Sequence, residues 1–295
     1  MSRTSAKIIQ DSRSVHGPRI TTFEIVAPRM ILAKINTHRA LSRNYRSSRA
    51  VPVDKLIREV RTQPFVPLAF QRNKPGMQGG EALSGEQHEL AESIWLSAAV
   101  EAASHAEQLA AQDVHKQFAN RVLEPYLYAY GVITATEWEN FFLLRCHPDA
   151  QPEFQELAML MRTALASSEP QLLQEGDWHI PYVSSQDRRN LGLERCLQIS
   201  AARCAWVSYY VPENATTEAE SQVANPEKRA LSTFKKLSTA QPMHASPMEH
   251  QAVCTLLTSG MEANFNGFVQ FRKYLEQDLP IHLLPSHPFP VDAQA

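Results

Sequence analysis

The chain has 295 residues and a formal net charge of −2, so its overall field offers no attraction for nucleic acid or an anionic membrane. That length holds one large domain or two ordinary ones, with enough chain for a sizeable core. No apolar run is long enough to span a bilayer, and the N-terminal MSRTSAKIIQDSR lacks the apolar segment of a secretory signal.

In chain order, residues 1–19 read as a polar lead-in with weak structure. A strand from Ile20 to Val26 follows, turning at Pro28 into a short helix that runs to Ile35. Residues 50–84, with Pro75–Gly76 and Gly79–Gly80, read as a turn-rich loop. From Glu86 to about His115 the pattern is helical and alanine-rich, and a second helix is expected through Val114 to Tyr128. A third is expected to begin near Thr134, where Thr134 to Glu137 resembles a capping box ahead of Trp138, Phe141 and Phe142; Pro148 limits it. A fourth covers about Ala150 to Ser167, and residues 168–190 are loop-like. Leu191 to Tyr210 reads as a strongly apolar helix, and Val211 to Asn225 as polar and mobile. Pro226 opens a helix to about Thr239. A strand from Ala252 to Thr258, a helix around Phe265 to Glu276 and a loosely held tail complete the expectation.

One stretch stands apart chemically. Thr37 to Arg49, THRALSRNYRSSR, packs four arginines, a histidine, three serines and an asparagine into thirteen positions. Arginine forks and serine hydroxyls hold phosphates and planar polar rings. The bland reading is a solvated basic loop. The four cysteines, Cys146, Cys196, Cys204 and Cys254, form no CxxC pair, which fits free thiols in a reducing cytoplasm. No metal is expected, because no pair among His38, His244 and His250 has ligand-like spacing.

The stretch resembles the signature of flavin-dependent thymidylate synthases, Arg-His-Arg, seven residues, Ser, with His38, Arg39, Asn44, Ser47 and Arg49 in matching places. Three further segments resemble that family. Trp138 to Arg145 with Ala150–Gln151 is similar to its aromatic-rich helix and Ala-Gln; Asn120 to Pro125 to its Ala-Arg-x-x-Leu-Pro turn; His244 to His250 to its His-x-Ser-Pro-Phe-Glu-His motif. That last motif, and Cys204 to Ser208, lie after the signature where the family has them before it, so the chain reads as a circular permutation. Departures fall at Lys34, Thr37, Tyr45, Thr134 and Thr136, which stand where the family has cofactor contacts or signature residues.

The resemblance implies transfer of a one-carbon unit from methylenetetrahydrofolate to C5 of deoxyuridine monophosphate, with FAD supplying hydride and NADPH as reductant. Hydroxymethylation of a uracil or cytosine nucleotide, and a noncatalytic nucleotide-binding homologue, stay open. By resemblance, Ser47, Arg49 and Arg121 bind the substrate, Arg145 binds and polarises its ring, and His38, Arg39, Asn44, Ser208, His244 and Ser246 bind the flavin. The implied fold is α+β: helix-rich with a small mixed or antiparallel sheet, built from the strands near Ile20 and Ala252. It is expected as one domain over residues 1–295, with the signature in 1–50, a helical region in 85–170 and the permuted segment in 190–280. A cytoplasmic homotetramer acting on a small nucleotide, with no nucleic-acid or membrane partner, completes the expectation.

Overall fold

The structure is a computed structural model that describes residues 3–209, 226–256, 261 and 263–281. Its strands are β1 (Ser5–Ser14), β2 (Arg19–Pro28), β3 (Ser42–Tyr45), β4 (Tyr128–Ala135), β5 (Gln171–Leu173), β6 (Trp178–His179), β7 (Ala252–Cys254) and β8 (Phe268–Gln270). Its helices are α1 (Leu32–Ile35), α2 (Val53–Thr62), α3 (Gly85–Ala111), α4 (Lys116–Ala119), α5 (Glu139–Arg145), α6 (Pro152–Ala166), α7 (Ser185–Asn190), α8 (Leu193–Trp206), α9 (Pro226–Ser238) and α10 (Phe271–Glu276). The α+β expectation holds, with a mixed five-stranded sheet, β3-β4-β2-β1-β5, and an antiparallel three-stranded sheet, β6-β7-β8.

β2 and β4 form the middle of the larger sheet. Phe23, Ile25 and Ala27 are fully buried and pack on Phe154, Leu157 and Met161 of α6. Burial of this kind stabilises by roughly 1.5–3 kcal/mol per large side chain. β4 replaces the end of the expected second helix and the start of the third. All eight of its residues are buried, so it carries no alternation to betray a strand. Thr134 therefore lies inside β4 and caps nothing, and the helix that follows begins at Glu139. What precedes β4 is the short α4 and a 3-10 turn, Asn120–Tyr126, containing Pro125.

Four other expectations are corrected. Residues 5–14 form β1, paired antiparallel along β2, and its polarity reflects a polar interior. There the Asp11 carboxylate accepts from Arg19, Thr21 and Ser168. Within the expected loop at 50–84, Leu56, Ile57 and Val60 of α2 pack on Ala99, Ala103 and Ala106 of α3. Within the expected loop at 168–190 lie β5, β6 and α7, the last opened by a capping box between Ser184 and Asp187. Of the expected helix around Phe265 to Glu276, only Phe271–Glu276 is helical, because Phe268–Gln270 pairs with β7.

The strands near Ile20 and Ala252 do not share a sheet. They meet face to face instead, where Ile20 and Leu173 pack on Ala252, Cys254 and Phe268. Val211 to Asn225, part of the expected strand beyond Cys254, and most of the expected tail lie outside the described residues.

Candidate functional site

The chain leaves β2 at Pro28, and burial of Ile31 and Ile35 fixes the short turn and α1 that follow. Its exit is pinned at His38, whose N–H donates to the Ile35 carbonyl (3.1 Å) and whose carbonyl accepts from Arg43 (2.7 Å). The His38 ring is buried, 5.1 Å from the Phe141 ring and 6.1 Å from Phe154. Arg145, the last residue of α5, donates from Nε to His38 Nε2 at 2.8 Å. Its guanidinium lies 4.6 Å over the Phe154 ring. The sequence-predicted signature histidine and ring-polarising arginine, 107 residues apart, are thus in direct contact. Burial, together with the Arg145 and Arg43 charges, lowers the His38 pKa. The ring is held neutral, with its proton on Nδ1 and Nε2 free to accept. Arg145 bonds no described helix carbonyl, so it does not act as a cap of α5.

A second group gathers on the other side of β3. Asn44 donates to the Cys204 carbonyl at the end of α8 (2.7 Å), and Ser246 donates to Asn44 Oδ1 (3.4 Å). The Ser47 N–H meets the Ser208 carbonyl (3.2 Å), while the Ser208 hydroxyl donates to the Tyr45 carbonyl (3.3 Å). Four of the expected site residues, from sequence positions 44 to 246, therefore form one cluster. His244 is exposed and joins it only through its neighbours in the chain.

The third group surrounds Glu124. Arg29, Ser48 and Arg121 all donate to its carboxylate. Burial pushes that carboxyl up, but the Ser48 hydrogen bond and the Arg29 and Arg121 charges outweigh it and hold it below its ordinary value. Arg49 and Arg39 are exposed, and no described residue bonds to either guanidinium. Arg46, between them, is spent on structure: it is 3% exposed, donates to both Glu59 oxygens and to the Tyr128 carbonyl, and stacks on Tyr130. Composition alone does not separate Arg46 from Arg49; the resemblance singled out Arg49, and the partner Glu59 shows why Arg46 is not free. Arg43 was also missed as a site residue, although it borders His38; its place next to Asn44 on a strand was the available signal.

Several departures from the signature are occupied internally. Thr37 donates to the Lys34 carbonyl (2.7 Å), and Lys34 donates to Gln151 (2.5 Å). Thr136 accepts from the Asn266 N–H (2.9 Å). Tyr45 lies opposite Gly131 in the sheet, and a Cβ there would come within 2.2 Å of its ring. The Tyr45 hydroxyl is buried with no described partner, and burial raises its pKa.

Beneath this face runs a sealed polar chain. Ser12 meets His179 Nδ1 (2.9 Å), His179 Nε2 meets Thr22 (2.8 Å), Thr22 meets Thr134 (2.8 Å), and Thr134 meets His250 Nδ1 (2.8 Å). Burial drives both histidines to a pKa of about 3, assisted at His179 by the Arg188 and His250 charges. No group of three residues with metal-ligand chemistry exists among the described residues.

A family model, "Thy1: Thymidylate synthase complementing protein", matches residues 13–171, more than half of the chain. Among solved structures, two of a UMP/dUMP methylase, PolB from Streptomyces cacaoi, are similar, one bound with 5-Br dUMP and one with 5-Br UMP. Each has 20% sequence identity, a TM-score of 0.46 and covers 56% of this chain, with 91% and 90% of the other chain covered. No curated protein matches.

Proposed function

Because the chain belongs to the thymidylate synthase complementing protein family, we propose that it transfers a one-carbon unit to C5 of a deoxypyrimidine monophosphate, converting dUMP to dTMP. The observation that carries this reading is the Arg145–His38 contact, which assembles two motif residues of the matched region into one half-buried cationic group. A guanidinium held against ring carbonyls stabilises the negative charge that develops as C5 becomes nucleophilic. Neutral His38 serves to aim it, because an imidazolium would repel it.

The residues present fit a flavin in part. Arg39, exposed and unpaired among described residues, suits a flavin phosphate, while Arg49, likewise unpaired, and the Ser47 hydroxyl, with no described partner, are left for the nucleotide phosphate. Asn44, Ser208 and Ser246 lie in one cluster, though their polar atoms already bond within the protein. Bound reduced FAD would supply the hydride that completes the methyl, with NADPH as its reductant and methylenetetrahydrofolate as carbon donor. The protein's own work is to hold the phosphate with Ser47, Arg49 and Arg121, orient the ring and polarise it through Arg145.

A second reading has one specific observation in its favour. Thr134 and Thr136 stand where the family contacts cofactors, yet both hydroxyls are bonded inside the protein. A weakened hydride supply would favour hydroxymethylation of dUMP or dCMP. Incubation with either nucleotide, methylenetetrahydrofolate, FAD and NADPH, followed by product mass, decides between them. A methyl product supports the first reading, a hydroxymethyl product the second, and no product with either nucleotide contradicts both.

A homotetramer is part of the proposal. Leu143 is 72% exposed and Leu144 47% exposed beside Arg145, and Leu90, Ile94 and Val100 are exposed along α3. Light scattering is expected to give the mass of a tetramer; a fully active monomer would contradict it. The Asn44–Ser246 contact and the Thr134–His250 bond support one domain in permuted order. The four free cysteines accord with the cytoplasm, and no described helix is long and apolar enough to cross a membrane.

A further inference from the structure

A cleft of about 300 Å³ opens between the β5–β6 region and the α7–α8 pair, and none of the residues assigned to the nucleotide or flavin lines it. More of its accessible lining is polar than apolar: Leu191 and Leu193 form the open apolar part, Leu173, Trp178 and Ile180 back it almost wholly buried, and Arg188 enters it from α7. Only one terminal nitrogen of Arg188 is used, donating to the Ile180 carbonyl (2.9 Å) and to Gln10 Oε1 (3.3 Å). Both acceptors are neutral, and no described carboxylate pairs with this guanidinium. The Nε–H and the two N–H groups of the other terminal nitrogen are left without a described partner. Burial disfavours the charged form of the group, so its charge is already partly withdrawn from water. Asp177, the acid at the cleft, is exposed and accepts from the Gln174 N–H (2.8 Å).

We propose that this cleft binds a small organic carboxylate with an apolar body, its carboxylate on the open donors of Arg188 and its body against Leu191 and Leu193. A half-buried cation without a counter-charge is costly, and an arriving carboxylate supplies two acceptor oxygens in a charge-assisted bond. The volume is at the lower end of small-molecule sites, which sets the ligand's size. Two open leucines beside one charged anchor give the usual division of labour in such sites, where burial gives affinity and a polar group fixes orientation. The inference does not rest on the nucleotide reading.

The test uses the full chain and octanoate as probe, followed by isothermal titration, with octanamide and inorganic phosphate as controls. Saturable binding of octanoate is expected, with octanamide and phosphate each about tenfold weaker or worse, since each lacks half of the recognition. Arg188→Gln is expected to weaken octanoate by about tenfold or more. Should that variant fail to fold, Leu193→Glu decides, because Leu193 is 37% exposed at the rim and a carboxylate there repels the probe. Deoxyuridine monophosphate is expected not to compete. The proposal is overturned if the wild type does not bind octanoate at millimolar concentration, if either folded variant binds as the wild type does, if phosphate or octanamide binds equally, or if the nucleotide displaces the probe.

Discussion

Two histidines of motif-like segments, His38 and His250, sit on opposite terms with their surroundings. His250 belongs to the sealed chain from Ser12 through His179, Thr22 and Thr134, in which every hydroxyl and all but one ring nitrogen has a partner. His38 instead holds Arg145, whose remaining donors have no described hydrogen-bond acceptor, and the adjoining Arg39 is also unpaired among described residues. Polar groups that saturate one another are there to join the two sheets. Polar groups left open, yet held in place by Phe141 and Phe154, are available to a ligand.

The comparison breaks most readily at Arg145. Replacing it by Lys keeps the charge but loses the planar fork, so turnover is expected to fall on the order of a hundredfold, while nucleotide affinity weakens modestly. Steady-state kinetics check this, and near-normal turnover removes Arg145 from the site. In the sealed chain the expected loss is of stability instead. Thr134→Val strips the one described partner from His250, at about 1–3 kcal/mol for the orphaned group, and leaves Thr22 only its bond to His179, with activity falling only as far as folded protein does. Urea unfolding measures it; an unchanged midpoint would mean that the chain is incidental to folding.

Acid sharpens the same contrast. Burial lowers His179 and His250 from 6.5 to about 3, and His38 is lowered too, so the unfolded chain binds these protons first. Their stabilisation is fully present above about pH 6.5 and is lost as pH falls toward about 3. The upper part of that window, before the carboxylates protonate, belongs to the histidines. A urea midpoint that stays flat from pH 6.5 to 5 would contradict the assignment. The smallest effect is expected at Ser246, exposed and at 3.4 Å from Asn44: Ser246→Ala is expected to change stability by no more than about 0.5 kcal/mol.

The sequence made the chemistry more legible than the architecture. The segments around His38 and Arg145 were recognisable because short polar patterns survive in a helix exit and a helix end, whatever the surrounding elements do. Their contact was not expected, since resemblance assigned His38 to the flavin and Arg145 to the nucleotide ring. β1 was hidden because Ser12 and Ser14 are buried polar residues, and no local pattern announces that a serine will face a histidine 167 positions away. β4 was hidden for the opposite reason, since burial on both faces erases period-two alternation. The Thr134 to Glu137 capping pattern was a true local match overridden by tertiary pairing with β2. The long helices α3, α6, α8 and α9 were legible because nothing non-local competes with their composition.

The contrast between open and sealed groups is tested most directly by mapping deoxyuridine monophosphate onto the folded protein by amide hydrogen exchange. Added nucleotide is expected to protect segments 38–49 and 139–146 and to leave the strands carrying Ser12, Thr22 and His179 unchanged. Protection confined to those strands, with none at His38 or Arg145, would contradict it.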